Sequence, residues 1–532
     1  MPEANQTKTD FIDFSKTKNL LYAGVVIELF LVALLGIYSN HFHNGFAIDD
    51  QNIIVDNPAI KSLNNIGKFF LDARTFSTLP YNQNYMPFCS VICAIDYWLA
   101  GNKLDVFYFH VTNFLWFLFV LFLLFCLIRK IFSEQKHKQY TLETLIAGAF
   151  AVTWFAFNPA IAQTINYISG RYDIISTAGT VGALCWYIYF PGNRKYLFYL
   201  LPMIVGFLTE EISVIFMPIL FFYILFFEKD LSLSDVFHKK NMPILLDVFK
   251  KTLPALILGI LLFIFNQFMS SSTLLFNQGG WDKAWDKAWV YPANATYVFI
   301  QYIKNFFTSN DLTAYYGWKK ITSITDLRFI LRSAVIIAFM FIAFIASKKK
   351  QLKPIAFGIL WFYLALLPTS IIPIEQPLAD RRTFFPFMGL TISCTWMLVL
   401  LIRRITPVLI SRRWATLLIA LYSLLFLGFN AYSTHSRNKV WKNEETLLKE
   451  SVDKAPDDYF INNWYGVILM NNAKYIEALK YFEISVKLNP TYPYVYANIE
   501  LAHELILIKT VREGTYIYDN TEILHQQIEK QK

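Results

Sequence analysis

The sequence predicts an all-α polytopic membrane protein, a bundle of about eleven transmembrane helices followed by a C-terminal tetratricopeptide-like helical cap. Three observations carry that prediction. Of 532 residues, 55% are apolar and only 16% charged, whereas a soluble domain carries roughly 25% charged residues. So much apolar surface cannot be hidden inside one globule and must face lipid. The apolar residues fall into runs near the length of about 20 residues that crosses a bilayer, and Lys and Arg cluster in alternate gaps between them. Disorder, a collagen-like fibre and a soluble multidomain enzyme are excluded. The net charge of +9 is a set of topology determinants, and no nucleic-acid partner is expected from it.

In chain order the runs are 20–39, 107–128, 142–159, 172–191, 195–209, 211–227, 252–270, 328–347, 354–372, 384–402 and 414–433. The first follows Lys8, Lys16 and Lys18, is long, and has no small-residue cleavage site after it. It reads as a retained helix rather than a removed signal peptide. Basic residues gather at Arg129, Lys130, Lys136 and Lys138, at Arg194 and Lys195, and at Lys239, Lys240, Lys250 and Lys251. They gather again at Lys348, Lys349, Lys350 and Lys353, and at Arg403, Arg404, Arg412 and Arg413. The positive-inside rule puts these loops in the cytoplasm. The long loop 40–106, the turns near 160–171 and 210, the segments 271–327 and 373–383, and residues 434–532 then share the outer side.

Within the outer segments, Trp281, Trp285 and Trp289 recur every fourth residue along one side of a helix, as a headgroup-level anchor or a sugar-stacking platform. Asn294-Ala295-Thr296 is a glycosylation sequon, and 294–316 reads as an outer interfacial helix. The five cysteines form no disulfide framework, and Cys89 and Cys93 lack the second pair that a zinc site needs, so they read as small apolar residues and no metal-ligand set stands out. After residue 433 the composition turns polar. Pro456 and Pro490 stand 34 residues apart, the tetratricopeptide period, and Gly466 and Ala478 are small enough to let two helices approach closely. This divides the chain into a membrane domain, 1–433, and a helical domain, 434–532.

Ionisable residues at the ends of apolar spans are costly to keep and point to function. Asp49 and Asp50 are adjacent, and their mutual repulsion raises one pKa, which suits a general base. A solvated turn with a helix cap is the alternative. Arg171, in Ser169-Gly170-Arg171-Tyr172-Asp173, offers a fork of donors matched to phosphate, or else pairs with Asp173. Glu210 and Glu211 need a buried partner, for which Arg171 has the right sidedness. Arg381 and Arg382 lie on the outer side against the positive-inside trend, which an anionic ligand would explain. His110 and Asn113 share one helix face and line the same cavity or pair structurally. Carboxylate, acceptor hydroxyl and phosphate leaving group together spell glycosyl transfer from a lipid-linked sugar.

Several of these groups recur, in order, with other motifs: Tyr85-Met86-Pro87, Asp96-Tyr97-Trp98-Leu99-Ala100-Gly101, Asn158-Pro159, Glu210-Glu211, Pro368, Asp380-Arg381, Pro386 and Arg437-Asn438-Lys439-Val440-Trp441. That combination resembles the family of transmembrane and tetratricopeptide-repeat O-mannosyltransferases and their bacterial relatives. Three departures stand out: Asn158-Pro159 for the family's His-Pro, Glu210-Glu211 for its Lys-Glu, and a shorter repeat segment.

The resemblance implies a GT-C fold and an inverting glycosyltransferase. Its donor would be a polyprenyl- or dolichyl-phosphate sugar, with mannose the family's sugar, and its acceptor a hydroxyl on a glycan, lipid or protein. It also implies Asp49 as base with Asp50 orienting a substrate, Arg171 and Arg381 on the donor phosphate, and Glu211 in support. No cofactor beyond the donor is implied. The setting would be a bacterial inner membrane with a periplasmic site, or the endoplasmic reticulum membrane with a lumenal one. A non-enzymatic scaffold, a transporter and a lipid-linked oligosaccharide ligase or polymerase are the competing functions. A transporter would place charges near the midplane in two matching halves, and these charges lie at one interface instead.

Overall fold

The computed structural model describes residues 17–134, 142–270, 290–308, 311–317, 321, 323–372, 378–409 and 412–513. The Trp281–Trp289 tract, Lys136 and Lys138 lie outside the described residues, which contain helices and turns and no strand. The chain divides into two compact units, 1–312 with 319–443, and 313–318 with 444–532.

Helices of the first unit are α1 (Thr17–Ile37), α2 (Pro87–Leu99), α3 (Val106–Glu134), α4 (Leu142–Ala156), α5 (Ala162–Asn166), α6 (Arg171–Tyr189) and α7 (Leu200–Phe207). They continue as a rod α8 (Glu211–Glu228), then α9 (Met242–Met269), α10 (Val290–Phe307), α11 (Leu327–Ser347), α12 (Lys353–Ile371), α13 (Phe384–Leu409) and α14 (Arg412–Val440). Each of the eleven apolar runs coincides with one of these helices, but among the described residues only seven helices are both long and apolar enough to cross a membrane. A bent pair, Leu142–Ala156 with Pro159–Asn166 at 49°, makes eight if it is one span. Pro159 lacks the N–H that would continue α4, and the Asn158 side chain accepts from Ala160 N to start the next turn.

The other three runs differ for separate reasons. The described apolar part of α1 is the shorter helix Leu21–Ile37. At 8 residues, α7 spans about 12 Å, well under a bilayer's thickness of about 30 Å. In α6, Ser176, Thr177 and Thr180 dilute the apolarity, and the helix is buried by protein along nearly its whole length. A helix clad in protein has no need of a uniformly apolar surface.

Two expectations change in α10 and α14. Asn294 is buried, and its amide donates to Val290 O and Ile321 O, so the sequon is closed to a glycan. The helix α14 runs unbroken to Val440, so the polar segment expected from 434 begins inside a helix. Against one another, α12 and α13 cross at Gly358 and Gly389, where a Cβ on either would collide with the other's carbonyl oxygen.

In the second unit, α15 (Glu444–Lys454), α16 (Tyr459–Asn471), α17 (Tyr475–Leu488) and α18 (Pro493–Glu513) enclose Leu448, Ile461, Leu469, Phe482, Val495 and Ala502. The Asp458 carboxylate caps α16 through Phe460 N and Ile461 N. A Cβ at Gly466 would meet the Phe482 ring at 2.5 Å, so only glycine allows α16 and α17 to lie this close.

At one end of the first unit a buried ion pair fixes the framework on which the polar residues sit. Arg171, at the start of α6, is fully buried with Asp96 of α2, and its partner is therefore neither Asp173 nor a glutamate. Its Nε donates to Ile168 O and its Nη2 to Phe109 O of α3, so one guanidinium ties α2, α3 and the turn before α6. Replacing one member of such a pair leaves an uncompensated buried charge, at a cost of about 3–5 kcal/mol. Arg171→Met should therefore lower the unfolding temperature sharply in detergent, and adding Asp96→Leu should restore most of the loss; equal losses in the single and double variants would contradict the pairing.

Candidate active site

The two adjacent aspartates of the first long loop have opposite environments. Asp50 is fully buried, and Asp49 is exposed. Asp50 Oδ1 accepts from Ser169 N at 2.8 Å and Ser169 Oγ at 2.5 Å, and Oδ2 accepts from Ala47 N at 3.0 Å. Its side chain is thus a loop anchor and does not cap the turn Gln51–Val55. Between Ala47 and Asp49 the chain turns through Ile48 at φ 55, a left-handed conformation that a β-branched residue adopts at a cost of about 1–3 kcal/mol. That turn sends one carboxylate inward and its neighbour outward.

Asp49 Oδ2 accepts from the Tyr167 hydroxyl at 2.9 Å, and Asp49 N donates back to the same hydroxyl at 3.2 Å. The Tyr167 ring is stacked on Trp441, with centroids 5.8 Å apart and planes at 28°. Below the loop, Asn166 accepts from Asn44 at 2.7 Å and donates to Asn438 Oδ1 at 2.6 Å, and Asn438 donates to Ile37 O. Gly45 N bonds Lys442 O at 3.0 Å. The loop bearing Asp49 is thus strapped to residues 166–169 and to the end of α14.

Arg381 and Arg382 are both half-buried. Arg381 Nη1 donates to Asp173 Oδ2 at 3.0 Å, its backbone is fixed by Gln163 and Thr164, and its side chain remains 27% exposed. Asp380, next to it, is buried, faces Arg437 at 3.8 Å and accepts from Asn305. Glu210 is the glutamate in electrostatic range of Asp173, Arg381 and Arg382, whereas Glu211 is shaped mainly by its own burial. Tyr167 lies within electrostatic range of both the exposed Asp49 and the half-buried Arg381.

Three expected substrate contacts have other employment here. Arg171 is wholly buried and bonded within the protein. His110 and Asn113, expected to line a cavity, are fully buried and brace the loop: His110 Nε2 bonds Asn44 O at 2.8 Å, and Asn113 donates to Ile168 O at 3.4 Å. Tyr167, Asn44 and Asn166 were not legible as site residues. Their one signal is polarity inside otherwise apolar segments. Among the described residues no three His, Cys, Asp or Glu side chains come together as a metal site requires.

Helices of this length and apolarity, with a polar cluster at their ends, define a multi-pass integral membrane protein. Its sequence resembles the family of O-mannosyl-transferases named TMTC. Protein O-mannosyl-transferase TMTC1 of Homo sapiens is 24% identical over 197 residues, 34% of this chain and 21% of the relative. Protein O-mannosyl-transferase Tmtc3 of Drosophila melanogaster is 30% identical over 130 residues, 24% of this chain and 13% of the relative. The TMTC1 of Mus musculus is 25% identical over 189 residues, 34% of this chain and 19% of the relative. The matched stretches therefore span about a fifth or less of the length of these relatives. No family model and no solved structure matches the chain.

Burial pushes the Asp50 carboxyl up to about 7, against the pull of its donors from Ser169 and Ala47 and the field of Arg171. A carboxyl of about 3.9 in the unfolded chain then binds its proton more tightly when folded. The stabilisation is complete below about pH 4 and is lost as pH rises through about 7. A scan of unfolding temperature from acid to neutral pH should show a falling limb that Asp50→Asn flattens; the same limb in both proteins would mean that Asp50 does not titrate there.

Proposed function

We propose that this chain is an inverting membrane glycosyltransferase of GT-C type. It moves a sugar, mannose by the relatives' names, from a polyprenyl- or dolichyl-phosphate to an acceptor hydroxyl at the outer or lumenal face. The observation that carries this reading is the division of labour between the two aspartates: Asp50 is consumed by the scaffold, and Asp49 is presented to solvent by Tyr167. An exposed, pinned carboxylate and a half-buried guanidinium, both within electrostatic range of the Tyr167 phenol, supply the base and the anion contact that such a transfer needs.

In this mechanism Asp49 takes the proton of the acceptor hydroxyl as its oxygen attacks the anomeric carbon. The bond from that carbon to the phosphate oxygen breaks on the opposite side, so the configuration inverts. The electron pair leaves with the lipid phosphate, whose charge Arg381 and Arg382 stabilise. The Asp173–Arg381 bond presets the fork, with Glu210 in electrostatic range of both residues and Glu211 next to it in support. In this reading Arg171, His110 and Asn113 hold the framework and do not touch the donor. The helix starts at Tyr459 and Pro493, 34 residues apart, support a short tetratricopeptide-like unit with a role in presenting an acceptor.

The test is transfer of radiolabelled mannose from dolichyl-phosphate-mannose, and from its polyprenyl counterpart, to acceptors in a membrane extract. The wild-type protein should transfer. Asp49→Asn keeps the residue's size and hydrogen bonding but cannot accept a proton, and turnover should fall by about 10² to 10⁴ while the folded, monodisperse fraction is unchanged. Near-normal turnover in Asp49→Asn would overturn the assignment of the base.

A further inference from the structure

We infer that Tyr167, braced by Trp441, is a positioning residue that fixes the orientation of Asp49. The inference rests on the reading of Asp49 as the base and adds to it the device that keeps the base ready.

The geometry has three parts. The Tyr167 hydroxyl donates to Asp49 Oδ2 at 2.9 Å and accepts from Asp49 N at 3.2 Å, so one oxygen grips side chain and backbone of the same residue. A hydroxyl can make both bonds at once because it is a donor and an acceptor. The Tyr167 ring, itself buried, lies against Trp441, which is 1% exposed. The phenol therefore cannot swing away from the carboxylate without displacing a packed indole. Finally, Trp441 is held by the chain around it, with Asn438 bonded to Asn166 and Ile37 and with Lys442 O accepting from Gly45 N.

A carboxylate whose side chain and backbone are both held by one hydroxyl is offered to an acceptor in a single orientation. The groups that act on the phenol are Asp49 and Asp50 from the loop and Arg381 from the turn just before α13. Asp50 is committed to Ser169 and Ala47, and Arg381 to Asp173. Tyr167 is thus the only one of these groups with a direct bond to Asp49.

The experiment is steady-state transfer of mannose from dolichyl-phosphate-mannose by the whole chain in detergent, read as kcat and donor KM beside a size profile. Tyr167→Phe removes the hydroxyl and keeps the ring, and kcat should fall by about tenfold with the donor KM and the folded, monodisperse fraction as in the wild type. Trp441→Leu, which leaves the phenol but removes its backing, should lower kcat by less, and Trp441→Phe should return it toward the wild-type value. A fall matched by loss of folded protein, or an unchanged kcat in both Tyr167→Phe and Trp441→Leu, overturns the inference even if Asp49→Asn abolishes transfer. A lowered kcat in Tyr167→Phe with transfer intact in Asp49→Asn would overturn the base assignment instead.

Discussion

A carboxylate with no exposed surface, Asp50, has three direct partners, and all are donors from Ala47 and Ser169. Such a group is tolerated only where those donors are delivered in place, because each lost bond would leave a buried acceptor unsatisfied. The loop must therefore turn at Ile48, at the cost of a left-handed β-branched residue, and Ser169 must stand where the turn arrives. Asp49 faces outward as a by-product of that demand. The exposed carboxylate and the buried one are two outcomes of a single local constraint.

Ser169 in turn depends on its neighbours. Four residues in a row from 167 bind different elements: Tyr167 holds Asp49, Ile168 O receives Arg171 and Asn113, Ser169 holds Asp50, and Gly170 packs against Thr164, where a Cβ would come within 2.7 Å of its carbonyl oxygen. Arg171 then closes the turn onto Asp96. The end of α14 supplies the other strap through Asn438 and Trp441. Most of these ties join positions more than a hundred residues apart, so the loop inherits the stiffness of the helices rather than its own. Stiffness of this kind is what a base needs to meet an acceptor in one geometry.

The apolar runs were legible in the sequence because lipid imposes a length and a composition that nothing else does. Each coincides with a helix, yet the number able to cross the bilayer unaided was not legible, since α6 is long but clad in protein and α7 is apolar but short. The paired aspartates stood out for a related reason, two adjacent charges beside a membrane span. Which of them faces out was hidden, because the donors to Asp50 come from Ser169, 119 residues away. The partner of Arg171 was hidden in the same way: Asp173 and Glu210 are nearer in sequence, but Asp96 is carried to it by the packing of α2 on α3. Trp441 was visible only as the end of a family-like motif and Tyr167 only as a polar group in an apolar stretch; aromatic residues abound in this chain, and the stack is what singles out these two.

The most direct test of this scaffold is hydrogen exchange at the loop when a distant strap is loosened. Asn438→Ala removes the amide that joins Ile37, Asn166 and the end of α14 while leaving every loop side chain intact. Exchange read by mass spectrometry over residues 44–55 should quicken by about tenfold to a hundredfold, the effect of two lost hydrogen bonds at about 0.5–1.5 kcal/mol each. A change confined to peptides covering 434–443, with 44–55 as protected as in the wild type, would contradict the claim that these remote residues hold the loop.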